Sequence, residues 1–245
     1  MKAAPVLGHR DEDGALLACL LWEFGPGWRA ISSAVLGGGI GPAAWALNAQ
    51  VVAGYARMDP VEHLLELAPP GPGVGMLTAA SVDRFTRAAD GGVEVVATVG
   101  LRVPTWAAAP EGVPDPELAP IRLPGTGPAP ARPHDSGPAP ARLPGTVNII
   151  VAVPVAMSDA ALVNAVMTVT EAKTQALLEA GFSGTGTASD AVCVAAPERR
   201  PGHGPQEPFG GPRSTWGARI ARAVHAAVRE GAHLWSNRDA PTTQR

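Results

Sequence analysis

"TVNIIVAVPVAMSDAALVNAVMTVTEAKTQALLEAGFSGTGTASDAVCVAA" (146–196) is the stretch that decides the fold. Its first twelve residues, apolar and rich in valine and isoleucine, read as a buried strand over 146–157. Ser158 stands where a helix N-cap belongs, and the helix it opens runs through Ala180 to a stop at Gly181. "DAVCVAA" (190–196) is a second buried strand. At roughly 100° per residue, Asn164, Thr168, Glu171 and Gln175 share one side of the helix. Leu162, Val166, Val169, Leu177 and Ala180 take the opposite side. Lys173 falls among these apolar residues, about 200° from Glu171, so the two cannot serve one pocket from a straight helix. Lysine occurs only twice in the chain, at Lys2 and Lys173, and arginine supplies the other basic positions. An ammonium in an apolar stripe requires a buried partner, because an unpaired buried charge is costly. Asp190 and Glu94 are the candidates.

Upstream, "ALLACLLWEF" (15–24) reads as a buried strand, with "WRAISSAVL" (28–36) as its hairpin partner across the intervening Gly-Pro-Gly. "GGGIGPAA" (37–44) reads as a loop, and "WALNAQVV" (45–52), "VGMLTAA" (74–80) and "VEVVATVGL" (93–101) as strands. "DPVEHLLEL" (59–67) is a short helix with Asp59 at the N-cap and Pro60 in the first helical position. From 104 to 145 the composition turns to Pro, Ala and Gly. "GPAPAR" and "RLPGT" each occur twice there, the mark of a duplicated, disordered linker that includes His134 and Asp135. "ERRPGHGPQEPFGGPR" (198–213) is a second loop. Ser214 then caps a last helix over 215–235, whose apolar stripe contains Trp216, Ile220, Val224, Ala227, Val228 and Leu234. Strands early and long helices late predict an α+β fold. The expectation is a mixed or mostly antiparallel sheet, or sheets, packed by helices. It forms a single domain over 1–235, interrupted by the linker and followed by a flexible tail at 236–245.

A net charge of −3 with no basic stripe argues against nucleic acid as a partner. The start of the chain carries acidic residues where a signal peptide needs an apolar run. The uncharged stretch 30–56 holds too many glycines and polar residues to span a membrane. A cytoplasmic protein is expected, with Cys19 and Cys193 as buried free thiols. The histidines at 9, 63, 134, 203, 225 and 233 and the two cysteines show no metal-ligand spacing, so no protein-held metal is expected. Walker, dinucleotide and nucleophile-elbow motifs are all absent. The loop "SGTGTASD" (183–190) brings backbone N–H groups, hydroxyls and a carboxylate to a strand entrance, chemistry suited to holding an oxyanion.

Taken in order, "WRAISSAVLGGGI", "LNAQVV", "GMLTAA", "ATVGL", "PGTVNIIVAV", "TVTEAK", "GTGTASDAV" and "FGGPRSTWGARIARAV" resemble the adenosylcobinamide amidohydrolases of the CbiZ type, over roughly 22–232 without the linker. The sequence departs from that family's pattern at Gly37, where Asn is usual, at Ala188-Ser189, and after Gly100-Leu101. The resemblance implies hydrolysis of the amide joining a corrin side chain to its aminopropanol arm. The products would be adenosylcobyric acid and 1-amino-2-propanol, returned to cobalamin synthesis. No separate cofactor is implied, because the cobalt arrives inside the corrinoid substrate. A homodimer is compatible with such a chain. In the water-based scheme Glu171 or Asp190 is the base, and Lys173 fixes Asp190 or tunes its acidity. Gly184, Thr185, Gly186 and Thr187, with Asn48 or Asn148, donate to the oxyanion. Ser32, Ser33, Thr78, Thr146 and Thr168 complete the expected substrate contacts. The competing scheme makes Ser33, Thr78 or Thr187 a nucleophile activated by Lys173. The other class is a corrinoid or small-ligand binding module in which Glu171 and Asp190 are structural.

Overall fold

The computed structural model describes residues 4–109, 111, 145–199, 202 and 204–237. Most of the linker, with His134 and Asp135, lies outside the described residues, as do His203 and the chain from 238 onward. Among the described residues, ten strands form two mixed sheets and three α-helices pack on them, as the α+β reading requires. The smaller sheet orders β1 (Val6–Glu12), β2 (Ala15–Glu23), β5 (Trp45–Gln50) and β6 (Gly73–Thr78), with only the last pair parallel. The larger runs β4 (Gly39–Pro42), β3 (Trp28–Ser32), β10 (Ala191–Pro197), β9 (Thr146–Ala152), β8 (Val93–Gly100) and β7 (Thr86–Asp90). Here β9 and β10 are parallel and every other pair is antiparallel.

Side-chain alternation sorts the core into layers. Val95, Ile149, Val151, Val192 and Val194 face α2 (Asp159–Glu179) and α3 (Thr215–Ser236). Val96, Ile150, Ala152, Cys193 and Ala195 face the smaller sheet, meeting Ala18, Leu20, Trp22, Ala46 and Met76. The outer face of the smaller sheet buries Trp45 and Leu47 against Leu64 of α1 (Pro60–Leu67). All seven residues of β9 are buried, as a central strand covered on both faces demands.

Two expectations are corrected here. The segments 15–24 and 28–36 are not hairpin partners, because β2 pairs with β1 and β5 while β3 pairs with β4 and β10. Gly25 and Gly27 both adopt left-handed backbone, at φ 83° and 77°, and turn the chain out of one sheet into the other. Trp22, Phe24 and Trp28 fill the gap at this crossing, with ring centroids 5.5 and 5.2 Å apart. The 37–44 loop contains β4, a short edge strand on which Pro42 is tolerated.

The helix ends follow their sequence signals. Ser158 and Ser214 each accept a backbone hydrogen bond at 3.1 Å, from Ala161 and Gly217. Asp59 occupies the α1 N-cap position, but its carboxylate turns to Arg57 and makes no capping bond. Ser158→Ala should therefore cost about 1 kcal/mol of stability, measured by urea unfolding, and Asp59→Ala should leave the start of α1 unchanged.

Candidate active site

The ends of β3, β5, β6 and β8 and the starts of β9 and β10 lie at one end of the sandwich, because the strand directions alternate as the pairings require. Polar side chains replace the aliphatic core there, and strand parity divides them into two groups.

Asn48 shares a face with Ala46, Thr98 with Val96, and Asn148 with Ile150, so all three point between the sheets. Asn48 Nδ2 donates to Thr98 Oγ1 at 2.9 Å, and Asn148 Nδ2 donates to Asn48 Oδ1 at 2.8 Å and to the Leu77 carbonyl at 3.1 Å. Thr78 Oγ1 accepts from the Ala80 amide. Ser32 Oγ donates to the Val192 carbonyl, and Ser33 Oγ accepts from the Val192 amide. The carboxamide donors expected to meet an oxyanion are thus committed within the interior. Both asparagines and Thr78 are buried and serve as the polar seam of the two sheets.

The second group lies on the helix side. Lys173 Nζ donates to Asp190 Oδ2 at 2.5 Å, and the two side chains are only 9% and 11% exposed. Of the two partners open to Lys173, the structure pairs it with Asp190. The Thr187 amide also donates to Oδ2, at 3.1 Å. Asp190 Oδ1 accepts from the Val147 amide at 2.8 Å and from Thr187 Oγ1 at 2.5 Å. These bonds fill the four acceptor positions of a carboxylate. Gly186 makes room for the pair: a Cβ built there would lie 2.3 Å from Asp190 Oδ2 and 2.5 Å from Lys173 Nζ. Next to it, Thr146 and Ser189 share a hydroxyl–hydroxyl hydrogen bond of 2.9 Å, and Ser189 Oγ donates to the Gly145 carbonyl.

The loop is fixed from outside as well. Thr105 N donates to the Gly186 carbonyl and Thr185 N to the Thr105 carbonyl, both at 2.8 Å. Thr174 Oγ1, on α2, donates to the Thr185 carbonyl. The chain from Pro104 to Ala107, expected to begin the linker, is therefore ordered against the loop. The Thr185 and Thr187 amides are thus both engaged, and Gly186 is bridged to Thr105. Ala188 and Ser189 are exposed, so the loop meets solvent on that side.

Glu171 and Thr168 do not join this group, which corrects their expected place. Glu171 is exposed on the far side of α2, as the helix geometry requires once Lys173 turns inward. With Gln175, Pro212, Arg222 and His225 it borders an open groove of about 350 Å³ between α2 and α3. Thr168 is buried at the base of that groove, where Oγ1 donates to the Gly210 carbonyl. Gln175 donates to Glu179, which also binds His225. That polar stripe is a helix–helix seam.

Beneath α1 the structure holds a polar chain that the sequence did not suggest. His63 is buried, with Nε2 2.6 Å from Glu12 Oε1 and Nδ1 3.0 Å from the Tyr55 hydroxyl. Arg10 binds Glu12, the Gln50 carbonyl and Cys19 Sγ. Burial pushes the Cys19 thiol and the Tyr55 hydroxyl up, and Arg10 partly opposes the shift at Cys19. For Tyr55 the opposing charge is Arg57. Cys193 is fully enclosed.

The loop thus holds the Thr187 hydroxyl against the Asp190 carboxylate at the entrance of β10. Comparison with known proteins gives the family. The family described as CbiZ, adenosylcobinamide amidohydrolase, matches residues 5–240, and the chain belongs to it. A protein of Methanosarcina mazei named adenosylcobinamide amidohydrolase is 38% identical over 96 residues, covering 37% of this chain and 48% of that relative. One of Halobacterium salinarum with the same name is 46% identical over 87 residues, 35% of each chain. The matched stretches thus span about half, or less, of these relatives' lengths. Among the described residues, no helix is long and apolar enough to cross a membrane.

Removing one member of the buried pair leaves the other charge unpaired. Lys173→Met and Asp190→Asn should each cost about 3–5 kcal/mol. The Lys173→Met/Asp190→Asn double variant should lose less than the sum, a coupling that a urea-unfolding double-mutant cycle measures.

Proposed function

We propose that this chain hydrolyses the amide between the corrin side chain and the aminopropanol arm of adenosylcobinamide, releasing adenosylcobyric acid and 1-amino-2-propanol for the salvage of incomplete corrinoids. Family membership supports the reaction class. The contact between the Thr187 hydroxyl and Asp190, with Lys173 on the second carboxylate oxygen, supports the choice of reacting group.

Three hydroxyls were candidates for attack. Ser33 Oγ and Thr78 Oγ1 both accept hydrogen bonds from backbone amides, whereas Thr187 Oγ1 donates to a carboxylate. A nucleophile needs a group that takes its proton and a third group that holds that base in place. Thr187, Asp190 and Lys173 fill those roles in order. Direct activation of water by Asp190 is less favourable, since its acceptor positions are filled. In the first half-reaction Thr187 Oγ1 bonds to the amide carbon, and its proton passes through Asp190 to the departing nitrogen. The C–N bond breaks and aminopropanol leaves. Water then cleaves the threonyl ester, giving the free corrin acid and restoring the hydroxyl. Backbone amides of the loop between Gly184 and Asp190 stabilise the oxyanion of each tetrahedral stage. The cobalt takes no part in these steps and belongs to the substrate.

The filled Asp190 carboxylate also favours a second reading, a corrinoid-binding module in which the pair is purely structural. Turnover separates the two. Purified protein incubated with adenosylcobinamide should yield both products by mass spectrometry. Thr187→Ala should lower kcat at least about a hundredfold, and Thr187→Ser should retain substantial activity. Ligand binding without products would establish the module; full activity in Thr187→Ala would exclude the hydroxyl.

A further inference from the structure

Trp106 is half exposed, at 50%, on a backbone that is unusually well held. Before it, Thr105 exchanges two hydrogen bonds of 2.8 Å with Thr185 and Gly186. After it, the Ala107 amide donates to Thr185 Oγ1 at 2.9 Å. Thr185 is tied in turn to α2 through Thr174. The backbone on both sides of Trp106 is therefore tied to the loop that carries Thr187, and its exposure is not that of a loose end. Burial would favour an indole strongly, so a half-exposed one whose flanking backbone is tied to the Thr187 loop is suited to a flat apolar ligand. Phe209, at 68%, is exposed too, but it lies with Asn164 on a separate cavity formed by the 209–214 loop.

We propose that Trp106 is the platform against which the corrin ring of the substrate lies, so that the side-chain amide reaches Thr187. This rests on the reading of the site as one for a corrinoid amide. Trp106 is a positioning residue: it contributes ring contact and takes no part in proton transfer or attack. Its partner is a broad conjugated macrocycle with a predominantly apolar face. An aminopropanol amide on a small acyl group would gain nothing from it.

The test uses the full chain and adenosylcobinamide, with equilibrium dialysis for binding and release of aminopropanol for turnover. Trp106→Ala should weaken binding about tenfold and raise KM to match, with kcat unchanged and the same melting temperature as wild type. Trp106→Phe should recover most of the loss, and Phe209→Ala should behave as wild type. Unaltered binding in Trp106→Ala, or a fall in kcat with KM unchanged, overturns the platform. If the wild type binds but releases no aminopropanol, the hydrolase reading fails, and the dialysis series still decides Trp106. A wild type that does not bind adenosylcobinamide overturns both.

Discussion

The ion pair between Lys173 and Asp190 is the constraint on which this end of the molecule depends. Two charges almost removed from water carry a desolvation cost that only close geometry and additional hydrogen bonds offset. Here the offset comes from the Val147 amide and from both polar groups of Thr187. One carboxylate therefore joins the second half of α2, the entrance of β10, the start of β9 and the intervening loop. Gly186 is required by the same packing, since any side chain there would intrude on the two charges.

What the pair fixes is a hydroxyl. Thr187 would be an ordinary loop residue without a rigid acceptor for its proton, and the acceptor is rigid because the lysine holds its other oxygen. On the opposite face of the sheet, the Asn48–Asn148–Thr98 network does a different job. It satisfies buried polar groups where the sandwich ends, and Asn148 Oδ1 remains without a partner among the described residues. Strand parity keeps the two groups on separate faces, so residues close in sequence, such as Val147 and Asn148, serve different ends.

Much of this was legible in the sequence. An isolated lysine within an apolar helical stripe implied a buried partner, and both capping serines marked helix starts. The misses have physical causes. The edge strands β1 ("VLGHRDE") and β7 ("TRAAD") are polar and partly exposed, so they lack the apolar run that identifies a central strand. The crossing from β2 to β3 resembles a hairpin because a Gly-Pro-Gly turn reads the same whether the chain folds back or changes sheets. Glu171 and Thr168 form a polar stripe, and periodicity alone does not distinguish a cavity wall from a groove between helices. Trp106 was hidden by the composition of its surroundings, although an aromatic residue at the edge of a Pro/Ala-rich segment was itself a signal. His63 gave none, because its partners Glu12 and Tyr55 come from distant parts of the chain.

The most direct test is to trap the intermediate. Rapid acid quenching during turnover of adenosylcobinamide, followed by peptide mass spectrometry, should find the corrin acyl group esterified to the peptide that contains Thr187. Turnover that proceeds with no such adduct, with a Thr187→Ala variant of undiminished rate, would contradict the account.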